Sequence, residues 1–204
     1  ANSETLLNGA LDNKKDAKIF AKAILHNSER LSSMVSDLID LSRIEYGDLK
    51  LNIKGIDFND FMESFLVSMK SVAKKRDIEL KYNPDHQGLL SADTQALERI
   101  MNNLLDNAYK YSDEGTLVEV STKDQGKMIK VMVADSGVGV SDEDQEHIFD
   151  RFYRTASARA SDNKGSGLGL AIVKNLINSL NGEVGITPKK TSGSIFWFTI
   201  PKSK

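Results

Sequence analysis

Between Asp12 and Arg43 the chain has neither glycine nor proline, and Ile24, Leu31 and Leu38 recur at every seventh position. Phe20, Met34, Val35, Ile39 and Leu41 widen this line into a stripe. Apolar residues at that spacing fall on one side of a helix, so the pattern predicts one long amphipathic helix with a coiled-coil-like seam. Asp12 or Asn13 can cap its start, because a short side-chain oxygen accepts from the first free N–H groups. Lys15, Lys18, Lys22, Glu29 and Arg30 make up its solvated side. Ser3–Leu7, ahead of Asn8-Gly9, reads as the tail of a preceding helix. The two together suggest a helical hairpin missing most of its first arm, and the abrupt start at Ala1-Asn2-Ser3 fits a truncation.

From Leu49 the period changes. Leu49, Leu51 and Ile53 alternate with polar residues, which predicts a half-buried strand. Asp57 or Asn59 then opens a helix carrying Phe61, Phe65, Leu66, Met69 and Val72. Ile78, Leu80 and Tyr82 predict a second strand, ended by Pro84. Ser91 or Asp93 caps a helix running to about Tyr111. Strands are expected at Leu117–Thr122 and Met128–Asp135, joined by a turn at Asp124-Gln125-Gly126. Ser141 or Asp142 starts a short helix with Glu143 and Asp144 in its favoured first turn. The polar stretch Thr155–Lys164 is expected to be a flexible loop. A helix follows from about Gly169 to Leu180, stopped by Asn181-Gly182, and the last strands are Glu183–Thr187 and Ser194–Pro201. Helices and antiparallel strands alternate without βαβ regularity, so the fold class is α+β. The division this predicts is 1–47 for the hairpin portion and 48–204 for a second domain.

Bulk composition narrows the function classes. A hydrophobic content of 40% and a charged content of 27% describe a globular chain. The net charge of -2 gives no overall basic field for nucleic acid. Cysteine is absent, which removes disulfides, thiolate metal sites and a cysteine nucleophile, and fits a reducing compartment. No apolar run approaches the roughly 18 residues of a membrane span, so no membrane contact is expected of these residues.

Four segments carry candidate chemistry. In Asn102-Asn103-Leu104-Leu105-Asp106-Asn107-Ala108-Tyr109-Lys110-Tyr111-Ser112, helical spacing puts Asn103, Asn107 and Lys110 on one face. Two carboxamides and a lysine there can hold a hydrated Mg²⁺ and a phosphate chain, since a carboxamide offers a hard oxygen without adding charge. The same face reads equally well as the polar surface of a core helix. In Val133-Ala134-Asp135-Ser136-Gly137-Val138-Gly139-Val140 a carboxylate ends a strand before two glycines. Aspartate is depleted in strands, and glycines let a backbone approach closely; a buried aspartate can accept from an exocyclic amine, although Asp-Ser-Gly is also an ordinary turn. In Ile148-Phe149-Asp150-Arg151-Phe152-Tyr153-Arg154 the aromatics read as core, and the arginines face phosphate or solvent. Finally, Lys164-Gly165-Ser166-Gly167-Leu168-Gly169 leads into a helix whose free N–H groups attract phosphate. It lacks the G-x-G-x-x-G spacing of a dinucleotide loop and follows a polar loop instead of a strand, and no G-K-[ST] follows.

In this order the four segments resemble the N, G1, F and G2 boxes of the ATP-binding domain of sensor histidine kinases, a branch of the superfamily shared with gyrase and heat-shock chaperone ATPases. Ser28-Glu29-Arg30-Leu31 and Asp37-Leu38-Ile39-Asp40-Leu41-Ser42-Arg43-Ile44-Glu45 resemble the second helix of that family's dimerisation and phosphotransfer hairpin. The resemblance implies a two-layer α/β sandwich of the Bergerat type, a mixed sheet packed on helices, preceded by the long hairpin helix. It implies ATP and Mg²⁺ as cofactors, Asn107 as the metal ligand with Asn103 nearby, Lys110 on phosphate and Tyr111 against adenine. Asp135 would accept from the adenine amine in a pocket shaped by Gly137 and Gly139. Thr155–Lys164 would be a lid, Gly165, Gly167, Leu168 and Gly169 its phosphate-side hinge, and Arg154 a phosphate contact. It implies a response-regulator receiver domain as a protein partner, a homodimer through the hairpin in the full-length protein, and a cytoplasmic location, whether or not the parent is anchored in the inner membrane.

Two departures qualify the activity. Hydrolysing relatives place a glutamate one helical turn before the metal-binding asparagine; here that position is Asn103, which cannot act as a base. None of His26, His86 and His147 sits in the family's acceptor context, so all three are expected to be structural or exposed. The expectation is a kinase core that transfers the ATP γ-phosphoryl group to a histidine outside this chain. The alternative is a catalytically inactive nucleotide-binding module acting through helix contacts.

Overall fold

The structure, a computed structural model, describes residues 13–46, 49–160, 165–189 and 192–203. Ser3–Leu7, Asp12 and the last four residues of the expected lid lie outside them. The chain divides into two compact units, 1–40 and 41–204.

Helix α1 (Lys14–Glu45) realises the seven-residue pattern. Asn13 caps it: its Oδ1 accepts from the N–H of Lys15 at 3.0 Å and its carbonyl from the N–H of Ala17. Leu31, Val35 and Leu38 of the seam are exposed. The last turn belongs to the second unit, where Leu41 and Ile44 join the core.

The second unit is a two-layer sandwich. After β1 (Lys54–Ile56) comes α2 (Phe58–Lys75), whose start is fixed by Asp57 accepting from the N–H groups of Asn59 and Asp60. Then follow β2 (Glu79–Asn83), β3 (Leu90–Ala92) and α3 (Thr94–Tyr111), the last capped by Asp93 accepting from Ala96. The β4 (Leu117–Gln125) and β5 (Met128–Ala134) hairpin precedes two short helices, α4 (Asp142–His147), capped by Ser141, and α5 (Ala156–Ala160). Helix α6 (Gly169–Ser179) and strands β6 (Val184–Pro188) and β7 (Ser194–Pro201) complete it.

The main sheet has the order β2-β4-β5-β7-β6, with β2 and β4 parallel and the other pairs antiparallel; β1 and β3 form a separate ribbon. The mixed sheet follows from the crossover through β3 and α3 that separates β2 from β4, since parallel neighbours need a long connection. One sheet face places Val118, Val120, Ile129, Val131, Val133, Phe196, Phe198 and Ile200 in the core. Helix α3 meets it with Leu97, Ile100, Met101, Leu104, Leu105 and Ala108, and α6 with Ala171, Ile172, Val173, Leu176 and Ile177. Fully burying each large aliphatic side chain contributes about 1.5–3 kcal/mol, so this interface is the main source of cohesion.

Three expectations fail locally. Residues 49–53 are not a strand: Leu49 and Leu51 pack on the core, but the N–H of Asn52 donates to Asp93 Oδ2 at 2.8 Å instead of joining a ladder. The alternation there reports sidedness, and pairing starts only at Lys54. Strand β3, three residues long, falls in what reads as a helix approach. The first part of the expected lid loop, Ala156–Ala160, is helical, with Thr155 Oγ1 accepting from Ala158 N–H.

Candidate functional site

Strand β5 delivers Asp135 to the edge of the core. Its N–H donates to the carbonyl of Ser194 at 2.9 Å, so the β5–β7 ladder continues one residue past the strand. The side chain is 5% exposed, and Oδ1 accepts from the N–H of Gly137 at 2.9 Å and of Ser194 at 3.1 Å. Among the described residues no donor reaches Oδ2. Burial pushes the carboxyl above the usual carboxylate range, and the two N–H bonds and the Lys189 ammonium pull it back only in part. One oxygen is therefore saturated and held in place, while the other is offered as an acceptor. That suits an exocyclic amine.

Glycines act as the seams that draw the four segments together. A Cβ at Gly137 would strike the main-chain carbonyl of Tyr111, and the same stretch forms an isolated bridge between Ser112 and Gly137. This ties Asp135 and its loop to the C-terminal end of α3. A Cβ at Gly169 would lie 2.7 Å from Asn103 Oδ1, which ties the glycine loop to the middle of the same helix. Gly167, at φ +75°, would bring a Cβ within 2.8 Å of the Phe152 backbone, and its carbonyl accepts from the Phe152 N–H at 2.9 Å. Phe152 pays for that contact with φ +61° and an exposed ring, so it is not the core aromatic expected from the sequence; Phe149 is. Asn103 and Asn107 lie a turn apart on α3, with Lys110 and Tyr111 one turn further on. All four are half-buried beside fully buried Leu104, Leu105 and Ala108.

The individual side chains differ in readiness. The Asn103 amide donates to Arg99 O at 2.9 Å, which turns its Oδ1 toward Gly169. The Asn107 carboxamide makes no hydrogen bond with a described residue. Lys110 Nζ pairs with Asp106 Oδ2 at 2.5 Å. The Arg154 guanidinium donates to the carbonyl of Ala158 in α5, and Arg159 Nε donates to Arg154 O at 2.9 Å. Leu168 is buried in the core, so only its main chain can face a ligand. It precedes α6 without a side-chain cap, leaving the helix's first N–H groups available to an anion. Gly139 is left-handed at φ +77° and faces Gly193, whereas among the described residues a Cβ at Gly165 would meet nothing beyond its chain neighbours within 4 Å.

His26 is exposed on α1, His147 Nδ1 pairs with Asp150 at 3.0 Å, and His86 Nδ1 lies 2.7 Å from Thr122 Oγ1 with its ring edge-on to Phe58. Burial pushes His86 below the usual histidine range. Among the described residues there is no cluster of three or more His, Asp or Glu able to cage a metal, and no helix long and apolar enough to cross a membrane.

Sequence reasoning passed over Lys189, Ser192, Gly193 and Ser194, which close around Asp135. The one local signal was Ser192-Gly193-Ser194 at the mouth of an alternating strand. The approach of Gly193, at φ +94°, to the Asp135 carbonyl spans the whole second half of the unit and has no local trace.

Comparison with known proteins bears on this geometry. Residues 92–204 match the family model described as Histidine kinase-, DNA gyrase B-, and HSP90-like ATPase. Sensor-like histidine kinase SenX3 of Mycobacterium tuberculosis is 34% identical over 199 residues, covering 98% of this chain and 48% of SenX3. The chain thus spans about half the length of such curated relatives. Full-length ShkA in complex with AMPPNP superposes with a TM-score of 0.78 at 26% identity, covering 93% of this chain and 39% of ShkA. Histidine kinase ThkA in complex with response regulator protein TrrA superposes with a TM-score of 0.72 at 23% identity, covering 93% of this chain and 51% of ThkA.

Proposed function

Because this chain belongs to the histidine kinase-, DNA gyrase B- and HSP90-like ATPase family, we propose that its ATP-binding core passes the γ-phosphoryl group to a histidine of a sensor kinase, for relay to a response-regulator receiver domain. The observation that carries the reading is the buried Asp135 carboxylate, with one oxygen saturated by two backbone N–H groups and the other open, joined through Gly137 to the C-terminal end of the helix that carries Asn103 and Asn107. In this reading Asp135 accepts from the adenine amine, Gly137 and Gly139 shape the base pocket, and Tyr111 lies against the ring. The N-terminus of α6, entered through Gly165, Gly167, Leu168 and Gly169, faces the phosphates. Lys110 and Arg154 reach them by exchanging their present partners. That the ShkA structure contains AMPPNP supports a nucleotide in the equivalent fold.

Phosphoryl transfer asks the protein mainly to position and to neutralise charge. A histidine nitrogen lone pair forms the P–N bond as the P–O bond to ADP breaks. The donor set fits Mg²⁺: a hard carboxamide oxygen on Asn107, with Asn103 a turn away, suits an ion that keeps several waters and takes phosphate oxygens as its other ligands. Once bound, the ion screens the phosphate charge. An amide at Asn103 cannot take a proton from water, so hydrolysis is not promoted. The acceptor lies outside His26, His86 and His147, and the ThkA complex with TrrA supports a receiver domain as the next recipient. Leu31, Val35 and Leu38 on α1 are the residues through which the full-length protein would form its hairpin homodimer.

The test is ADP titration with and without Mg²⁺, and incubation with γ-labelled ATP. Wild type binds more tightly with Mg²⁺; Asn107→Ala retains metal-free affinity and loses roughly 10-fold of the metal-dependent gain, the order of one charge-assisted contact. No acid-labile label forms on this chain alone. Stoichiometric label on any of its three histidines would overturn the assignment of the acceptor.

A further inference from the structure

The connection between β6 and β7 is bonded to the Asp135 loop at several points, and the proposed function gives these bonds no role. Lys189 Nζ donates to the main-chain carbonyl of Asp135 at 2.9 Å. Ser192 Oγ donates to the carbonyl of Gly137 at 2.6 Å. Gly193 approaches so closely that a Cβ there would strike the Asp135 carbonyl and lie 3.0 Å from Oδ1. Lys189 N–H donates to Gly193 O at 3.2 Å, which closes the turn on itself. The segment Asp135–Gly137 is thus gripped at the carbonyls of its two end residues by Lys189 and Ser192.

We propose that Lys189 is a positioning residue for base recognition: its ammonium holds the Asp135 main chain in place beside the acceptor carboxylate, while Ser192 fixes the other end of the loop without charge. This rests on the reading of Asp135 as the acceptor for the base amine. The surroundings of the carboxylate leave Lys189 little competition. Strand β7 contributes Ser194, and the end of α3 contributes the Tyr111 carbonyl through Gly137 and the Ser112 hydroxyl, which accepts from Ser136 N–H at 3.2 Å. None of these carries charge near neutral pH. Among the described residues Lys189 is the cation that acts on Asp135, and it opposes the effect of burial. Removing it lets the carboxyl hold its proton to a higher pH. A protonated acid is a poorer acceptor for an amine, so the acidic loss of base affinity moves toward neutrality.

The experiment is calorimetric titration with ADP from pH 5.5 to 8.5 on wild type, Lys189→Met, Lys189→Arg, Ser192→Ala and Asp135→Asn, each checked for a cooperative melt. Ionisation of ADP itself is common to all and cancels in the comparison. Lys189→Met is expected to bind ADP about 5-fold more weakly at pH 8, the size of one ordinary hydrogen bond because Lys189 acts through the Asp135 main chain and not on the ligand, and to lose further affinity at a visibly higher pH than wild type. Lys189→Arg keeps the wild-type profile. Ser192→Ala weakens binding 2- to 3-fold, an effect of about one neutral hydrogen bond, with the profile unmoved. An unshifted profile in Lys189→Met overturns the proposal, as does a shift in Ser192→Ala or Lys189→Arg equal to that in Lys189→Met. If Asp135→Asn binds ADP as wild type does, the base-site reading falls and takes this proposal with it. A weakened Asp135→Asn beside an unchanged Lys189→Met sinks the proposal alone.

Discussion

The two ends of the candidate site are built on opposite plans. At the proposed base end Asp135 is held throughout its main chain: its N–H, its carbonyl and one carboxylate oxygen all have partners, and three glycines bring the neighbours into contact. At the phosphate end the cations are engaged locally. Lys110 pairs with Asp106, Arg154 with helix α5, and a Cβ at Gly165 would meet no described residue beyond its chain neighbours within 4 Å. A fixed acceptor costs little further ordering when a base arrives, so affinity is gained there. Cations that must leave one partner for another give less net affinity. That suits a group which has to be handed on, since binding that is equally strong before and after transfer does not help the transfer.

The sharpest way to break this contrast is Asp135→Asn. An amide nitrogen placed where Oδ2 stands offers a donor to an amine donor. Affinity for ADP should fall by roughly 100-fold, the scale of a lost charged hydrogen bond plus an unmet donor, while binding of inorganic tripolyphosphate is unchanged. Stability should move the other way. Burial raises the folded-state proton affinity of Asp135 above its unfolded value. In the pH window between those two values the folded protein binds more protons than the unfolded one, so stability falls as pH rises through the window and stays at its lower level above it. Asparagine has no such window. The ligand-free variant should therefore melt at or above the wild-type temperature at pH 7, and its margin should shrink on acidification toward pH 4. A variant that melts far lower at pH 7 would show that the negative charge at Asp135 is structural.

How much of this was legible depends on whether the cause is local. The α3 face was readable because Asn103, Asn107 and Lys110 share it by helical geometry alone, and because Ile100, Leu104, Leu105 and Ala108 mark the other side. The caps were readable to within a pair of candidates each, of which the structure selects Asp57, Asp93 and Ser141. Strand β3 was not, since three residues carry no period. Residues 49–53 were misread because alternation records which side is buried, whereas Asp93 takes the hydrogen bond that a ladder would need. The family resemblance supplied the order of the four segments, yet it did not reveal that Lys189 and Ser192 grip the Asp135 loop. That contact joins residues far apart in the chain through a turn whose composition is unremarkable.

The glycine loop sharpens the same contrast with a smaller effect. Gly167 is left-handed at φ +75° and packed within a Cβ's reach of the Phe152 backbone at 2.8 Å. Alanine there meets both a conformational penalty and an immovable neighbour, and should cost about 2–4 kcal/mol of unfolding free energy. Denaturant unfolding measures it directly. A cost under ~1 kcal/mol, no more than the conformational term by itself, would mean that Phe152 and its strained backbone give way, and that the link between the F and G2 segments is soft.

Gly165 should give the smallest effect of the three, although in sequence it is indistinguishable from Gly167. Among the described residues beyond its chain neighbours no atom lies within 4 Å of where its Cβ would be, and its backbone is outside the left-handed region. Alanine should therefore leave stability within about 0.5 kcal/mol of wild type, or raise it by restricting the unfolded chain. Affinity for ADP should be retained, because the anchored base end is untouched. If Gly165→Ala cost as much as Gly167→Ala, the loop would be seated as firmly at its start as at its end, and the idea of an ordered base end facing a loosely engaged phosphate end would have to be abandoned.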